Sequence, residues 1–208
     1  MAKLYAGVAV AAVVALLGGS FLYVQMNRAD DSFAECRQGQ VAGGDIGGPF
    51  TLVNTAGQTV TDKDVITKPT LVYFGYTFCP DVCPLDMSRN VEAVDKLRAQ
   101  GIEVTPVFIT IDPDRDTPEA LADYAANLHP DLVALTGGAD QIQAASRAYK
   151  TFYKKRDTGD EYYLMDHSTF TYLMLPGEGF VDFFRREITS DQMAESVACF
   201  VKAGKAAM

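Results

Sequence analysis

The segment Thr70 to Asp86, TLVYFGYTFCPDVCPLD, constrains this chain most, because an apolar run leads straight into two cysteines separated by three residues. Leu71 to Phe74 is apolar, aromatic and β-branched, which reads as a central strand, and the prolines that follow must turn the chain. Cys79 and Cys83 therefore fall at a strand-to-helix junction. If Pro80 is the first helical residue, the cysteines form an i, i+4 pair on one face. If Pro84 is, Cys83 caps the helix and Cys79 lies in the preceding loop. Either placement puts both thiols near a helix N-terminus, where the dipole and free N–H groups favour thiolate. The pair is suited to metal or redox chemistry.

The rest of the chain supplies alternating elements around this junction. Residues 49–65, PFTLVNTAGQTVTDKDV, read as a β-hairpin turning between Asn54 and Gln58. Asp86 to Gln100 reads as a helix with Met87, Val91, Val94 and Leu97 near one face and Gly101 as its stop. The strand VTPVFITI follows, then DPDRDTPEALADYAANL, where Asp116 or Thr117 can cap a helix carrying Pro118 and Glu119 in its first turn. A short strand at Leu132–Leu135, a helix at Ala139–Tyr153, two strands around a Pro176–Gly179 turn and a last helix from Asp191 complete the order. This implies an α/β, thioredoxin-like fold: a central mixed sheet covered by helices on both faces.

Charge excludes one class of partner. Lys plus Arg total 18 against 27 Asp plus Glu, a formal net charge of −9, and no basic run is present, which argues against nucleic-acid binding. Leu4 to Val24 contains no charge over twenty-one residues, long enough to span a bilayer as a helix. Lys3 and the α-amine precede it, whereas a single Arg28 followed by Asp30, Asp31 and Glu35 comes after it. Positive charge stays inside, so the expectation is a single-pass inner-membrane anchor with its N-terminus in the cytoplasm and the folded part in the periplasm, or the mitochondrial equivalent. A cleaved signal peptide is the rival reading, against which stand the long apolar run and the lack of a clear A-x-A site. The expected division is an anchor at 1–28, a Gly- and Asp-rich flexible tether at 29–48 and a globular domain at 49–208.

The third candidate ligand lies far along the chain, in Asp166-His167-Ser168. Of the two histidines, His129 precedes Pro130 at the end of a helix, where an imidazole commonly caps carbonyls or is solvated. His167 stands before the strand-like TFTYLML. In a thioredoxin order, the loop entering this strand faces the cysteine-bearing turn. Two thiolates and one imidazole make a soft site of low coordination, which suits copper better than calcium or magnesium. A structural zinc site normally wants a fourth protein ligand. With these ligands a Cu(I) complex carries net charge −1 and a Cu(II) complex is neutral, so one ligand set can hold both states.

YFGYTFCPDVCP, FITIDPDRDTPEAL and DHSTFTYLMLPGEGFVDFF, in this order, resemble the SCO/SenC (PrrC) family of membrane-anchored copper proteins, and the resemblance runs from about Pro49 to the C-terminus together with the anchor. It implies one copper per chain held by Cys79, Cys83 and His167, and a role in assembling the binuclear copper-A centre of cytochrome c oxidase. The implied partners are the copper-A subunit and copper donor proteins. The FITIDPDRDTP stretch resembles the family's loop beside the copper site. Asp112 there, and Asp166 beside His167, are the candidates for groups that orient a ligand. Asp112 through Thr117 can equally be a turn and helix cap. Tyr76 and Phe78 are candidates for shielding the metal or for packing beside the strand.

Cys36 and Cys199 fall outside this motif. In an extracytoplasmic compartment two leftover cysteines are expected to pair as a structural disulfide, an expectation that rests on cysteine arithmetic alone. Function divides between a copper metallochaperone and a thiol-disulfide reductase that keeps the oxidase cysteines reduced, with Cys79 attacking and Cys83 resolving. Against a pure reductase stand the three-residue spacing and the lack of a proline between Gly159 and Leu175, where thioredoxins carry a cis-proline. A peroxidase is disfavoured because Thr77 and Cys79 lack the Thr-x-x-Cys spacing. A copper or redox sensor uses the same residues and stays open.

Overall fold

The computed structural model describes residues 2–27, 32–37, 46–156 and 162–207, which divide into two units, Met1–Glu35 and Cys36–Met208. The tether expected over 29–48 lies largely outside the described residues. In the first unit, helix α1 covers Ala2–Asn27. Its side chains from Ala11 to Val24 are all exposed. Among the described residues no helix is long and apolar enough to cross a membrane, and the side chains between Leu4 and Val10 are described only in part.

The second unit carries, in order, β1 (Thr51–Asn54), β2 (Thr59–Thr61), α2 (Asp62–Val65), β3 (Thr70–Gly75), α3 (Val82–Ala99), β4 (Thr105–Thr110), α4 (Pro118–Leu128), β5 (Val133–Thr136), α5 (Ala139–Ala148), β6 (Tyr153–Lys155), β7 (Met165–His167), β8 (Thr171–Leu175), β9 (Gly179–Phe184) and α6 (Ser190–Ala207). Seven strands form one mixed sheet in the order β2-β1-β5-β4-β3-β8-β9, and β6 and β7 form a separate pair. This is the α/β architecture, with a central sheet flanked by helices, that the order of elements implied. Every residue of β3 is buried, which requires cover on both faces and explains why its sequence is a continuous apolar run rather than an alternating one.

The register places the site. β3 pairs in parallel with β4, from Thr70↔Thr105 to Gly75↔Thr110. On its other side β3 pairs antiparallel with β8, ending at Tyr73↔Thr171. Because β8 runs against β3, the residues before Thr171 emerge at the C-terminal end of β3, where the cysteine-bearing turn also begins.

Two helices depart from their expected bounds by several residues. The helix expected to reach Tyr153 ends at Ala148, because Lys150 takes a left-handed φ of 53° and the Thr151 N–H donates back to the Ser146 carbonyl at 3.0 Å. The released residues become β6, which pairs with β7 through Tyr153↔His167, Lys154↔Asp166 and Lys155↔Met165. The helix expected from Asp86 begins four residues earlier, at Val82, and thereby takes in Cys83.

Cys36 and Cys199 are joined by a disulfide, with Cα atoms 5.6 Å apart and a sequence separation of 163. This bridge connects the start of the second unit to α6, whose Met193, Val197 and Phe200 are fully buried. In the chain-entropy model a loop of this length gives an upper figure of about 5 kcal/mol, and measured values commonly fall at about 2–4 kcal/mol. The double variant Cys36→Ser/Cys199→Ser is expected to lose stability in that lower range, read as a fall in urea midpoint at unchanged slope. An unchanged midpoint would show that the bridge contributes nothing to the folded state.

Candidate metal centre

The turn between β3 and α3 is held by its own backbone and by a carboxylate from the next loop. The Cys79 N–H donates to the Tyr76 carbonyl at 3.2 Å. The Thr77 N–H and hydroxyl donate to the two oxygens of Asp116 at 3.0 and 2.5 Å, and the Thr110 hydroxyl donates to the same carboxylate at 2.6 Å. Asp116 is fully buried, and burial raises its pKa against the pull of these hydrogen bonds. It therefore acts as a staple between the β3 turn and the end of β4. Thr117 takes the capping role, accepting from the Ala120 N–H.

Helix α3 starts between the two placements open in the sequence. Val82 is its first residue, Cys83 sits in the first turn, and Cys79 lies in the turn before it. Pro84 is tolerated there because the N–H groups of a first turn have no intrahelical partner anyway. Asp81 occupies the N-cap without a capping bond from its side chain. The Cys83 N–H donates instead to Cys79 Sγ at 3.4 Å, so a sulfur caps the helix.

Space for the second thiol depends on Gly75. A Cβ built there would lie 3.0 Å from Cys83 Sγ and 2.9 Å from the rings of Tyr73 and Phe108. No larger residue fits at this position without displacing the sulfur or a core ring.

His167 completes the cluster from 84 residues away, its Nε2 standing 3.4 Å from Cys83 Sγ. Its Nδ1 lies 2.8 Å from the Ser168 carbonyl, so in the neutral ring the hydrogen is on Nδ1 and the Nε2 lone pair faces the thiols. Ser168 is itself anchored: its N–H donates to the Phe152 carbonyl at 2.9 Å, and its hydroxyl accepts from the Phe152 N–H at 3.0 Å. Tyr76 and Tyr73 pack edge-on to the imidazole at 5.8 and 6.3 Å between centroids. The Sγ atoms of Cys79 and Cys83 and one ring nitrogen of His167 all lie within 4.8 Å of one another. Both cysteines are buried and the histidine is half-buried, so an ion here is reached from the histidine side.

The other expected residues have their contacts elsewhere. Asp112 binds Arg115 Nε at 2.5 Å and accepts from the Tyr163 hydroxyl at 2.6 Å. Asp166 pairs with Arg156 on the β6–β7 hairpin. The group that orients the imidazole is the Ser168 carbonyl, a backbone atom that no side-chain pattern advertises. Tyr76 both flanks the imidazole and accepts from the Met165 N–H through its hydroxyl at 3.2 Å, while Phe78 is 55% exposed. His129 is buried rather than solvated. Its Nδ1 accepts from the Asp131 N–H and its Nε2 faces Asp95, tying the end of α4 to α3.

The two thiols are unequal. A hydrogen bond from Cys83 holds Cys79 well below the ordinary thiol range. Burial opposes this, and His167 and the Asp81 and Cys83 N–H groups reinforce it. The same bond, together with burial, pushes Cys83 up. Cys79 is thus the thiolate and Cys83 carries the proton. One thiolate, one thiol ready to lose its proton and one imidazole lone pair, converging on a water-poor point, fit a soft metal ion. Iodoacetamide is expected to label a single thiol per chain, mapped to Cys79, at a rate that is flat from about pH 6 upward, because its thiolate is already fully formed there. A rate that climbs through about pH 8.5 like an ordinary thiol would overturn the asymmetry.

The same combination of elements is found in known proteins. The SCO1/SenC family matches residues 38–202. SenC of Rhodobacter capsulatus is 51% identical over 196 residues, which cover 94% of this chain and 89% of that protein. The mitochondrial SCO1 homolog 1 of Arabidopsis thaliana is 40% identical over 153 residues, covering 73% of this chain but 46% of that longer protein. The crystal structure of Arabidopsis thaliana ScoI with copper bound superposes with a TM-score of 0.72 at 39% identity, over 76% of this chain and 99% of that one. The sheet order, the clustered thiols and imidazole, and these matches agree that the chain belongs to the SCO1/SenC family.

Proposed function

We propose that this protein is a copper metallochaperone that carries one copper ion on Cys79, Cys83 and His167 and delivers it to the copper-A subunit during cytochrome c oxidase assembly. The observation that carries the reading is the convergence of two thiol sulfurs and an oriented imidazole nitrogen within 4.8 Å, in a family whose structures include copper-bound members. Copper is the cargo. Two sulfurs satisfy Cu(I), and the imidazole adds the harder nitrogen that Cu(II) requires. Three protein ligands leave the ion open to a ligand from an acceptor, and the half-buried histidine stands on the side where that acceptor must approach.

The thiol-disulfide reductase reading draws on the same asymmetry, because a low-pKa Cys79 next to a protonated Cys83 is an attacking thiol beside a resolving one. The two activities are compatible, since copper loads only onto reduced target thiols. The oriented imidazole favours the carrier reading, because disulfide exchange has no need of it.

The site belongs outside the cytoplasm, at the end of a single-pass anchor formed by the uncharged N-terminal run. Three features support this: the uncharged run from Leu4 to Val24 with Lys3 before it, the exposed apolar side chains between Ala11 and Val24, and the Cys36–Cys199 disulfide. An apolar helix surface of that kind requires cover, and a disulfide persists in an oxidising compartment.

Two outcomes are expected. In His167→Ala, Cu(II) affinity should fall by more than the about 10–100-fold that loss of a supporting partner costs, while Cu(I) stays bound. An unchanged Cu(II) spectrum would remove His167 from the ligand set. Across neutral pH the affinity of the wild-type protein should rise about tenfold per pH unit, because Cys83 must release its proton to ligate whereas Cys79 is already ionised. A pH-independent affinity, measured by competition with a chelator of known proton stoichiometry, would contradict the protonated state of Cys83.

Topology supplies an independent check: a reporter fused to the C-terminus should be active only outside the cytoplasm and should sediment with membranes. Its appearance in the soluble periplasmic fraction would show that α1 is a cleaved signal instead.

A further inference from the structure

A group of rings and cations lies beside the metal centre and takes no part in ligation. The guanidinium carbon of Arg115 stands 4.7 Å from the centroid of the Phe78 ring and 3.6 Å from that of Tyr163. The Lys155 ammonium also stands 3.6 Å over the Tyr163 ring. Two cations at that height on one face would nearly coincide, so they occupy opposite faces of Tyr163. The layers therefore run ring, cation, ring, cation: Phe78, Arg115, Tyr163, Lys155. Polar bonds lock the centre of the stack. Arg115 Nε contacts Asp112 at 2.5 Å, Arg115 Nη1 donates to the Tyr163 carbonyl at 3.0 Å, and the Tyr163 hydroxyl donates to the other oxygen of Asp112 at 2.6 Å. Asp112 is 3% exposed, which makes the loss of its partner costly.

The two ends of this stack belong to the two halves of the metal centre. Phe78 is the residue before Cys79. Lys155 is on β6, paired with Met165 of β7, the strand that ends in His167. The thiols are already fixed to each other by the α3 N-terminus, through the Cys83 N–H on Cys79 Sγ. The hairpin that carries His167 has no strand pairing to the main sheet among the described residues. The short link from His167 to Thr171 of β8 brings it to this end of the sheet, and side-chain contacts such as the Tyr76 hydroxyl on the Met165 N–H adjust its distance from the thiols.

We propose that the Phe78–Arg115–Tyr163–Lys155 stack is the positioning device that holds the His167 imidazole at ligating distance from the thiols, and that it thereby sets the preference of the site between Cu(II) and Cu(I). Arg115 is its central member and acts only through others; it does not touch the ion. Cu(I) is satisfied by the two sulfurs, whose spacing the stack does not control. Cu(II) needs the nitrogen, whose position the stack does control. The proposal rests on the copper-carrier reading for its ligand but concerns an arrangement that exists in the metal-free protein.

The test compares both copper states in the full-length protein. Arg115→Ala is expected to raise the Cu(II) dissociation constant about tenfold or more, equivalent to about 1.4 kcal/mol, and to shift the thiolate-to-Cu(II) charge-transfer absorption, with the Cu(I) dissociation constant little changed. Arg115→Lys keeps a cation between the rings without the bonds to Asp112 and the Tyr163 carbonyl, and should restore part of the loss. Because Arg115→Ala strips a buried carboxylate of its partner and can impair folding, the exposed outer cation gives a second variant. Lys155→Met should weaken Cu(II) in the same direction by a smaller factor. Val104→Ala, at the opposite end of the sheet, controls for lost stability alone and should leave both affinities unchanged. Equal weakening of Cu(I) and Cu(II) in Arg115→Ala, or a wild-type Cu(II) spectrum in both stack variants, overturns the proposal. If the wild-type protein binds neither ion, the carrier reading fails by itself. The positioning claim is then read from the NOEs between the His167 ring and the Tyr73 and Tyr76 rings in the metal-free protein, and a wild-type NOE pattern in Arg115→Ala overturns it.

Discussion

β3 is paired along its whole length with β4 in parallel and over Thr70–Tyr73 with β8 in antiparallel, and this double pairing determines where Cys79, Cys83 and His167 can meet. A parallel neighbour sends its following loop out at the same end as the loop of β3, while an antiparallel neighbour brings its preceding loop there. Three segments far apart in sequence, the turn at 76–81, the loop at 111–117 and the strand ending at His167, therefore meet at one end of one strand. The completely buried pattern of β3 makes slippage costly, because sliding the register by one residue would move its whole apolar set. The fold supplies the meeting point, and side chains adjust the distances within it.

Within that meeting point the chain uses two kinds of support. The thiol half is built on backbone groups: a helix N-terminus beneath Cys83, a carbonyl for Cys79, and a glycine whose missing side chain leaves room for sulfur. One carboxylate joins them: Asp116 staples the cysteine turn to the end of β4. The imidazole half is carried by a two-stranded hairpin outside the main sheet, where a serine carbonyl fixes the ring and aromatic edges flank it. The difference matches the proposed cargo, because sulfur suffices for a softer ion and nitrogen is what a harder one requires.

The thiol half was the easier part to read from the amino-acid order. A continuous apolar strand, two prolines and two cysteines leave few conformations, and the structure differs only in starting α3 at Val82, between the two openings the prolines allowed. His167 was legible as a candidate because TFTYLML marks the strand it precedes. The β6–β7 hairpin was not, since 149–153 continues the apolar spacing of α5 and only the left-handed Lys150 breaks it. The group orienting the imidazole was hidden for a different reason. A backbone carbonyl belongs to every residue, so attention falls on Asp112 and Asp166, whose charges are instead engaged by Arg115 and Arg156. Asp116, which reads equally well as a helix cap, is the staple of the cysteine turn because three donors from two neighbouring segments reach it.

The Cys36–Cys199 bridge also has a mechanical meaning. Tension arriving along the chain from before Cys36 divides at that residue, and one branch passes through the disulfide into α6. That helix packs on α3, with Lys96 of α3 bonded to Ser190 and Asp191 at the α6 start, and α3 carries Cys83 in its first turn. A load applied at the N-terminal side thus has a route of covalent bonds and helix packing to the ligand end of the domain. The short edge hairpin β1–β2, which would otherwise be the first element peeled from the sheet, is spared the full force.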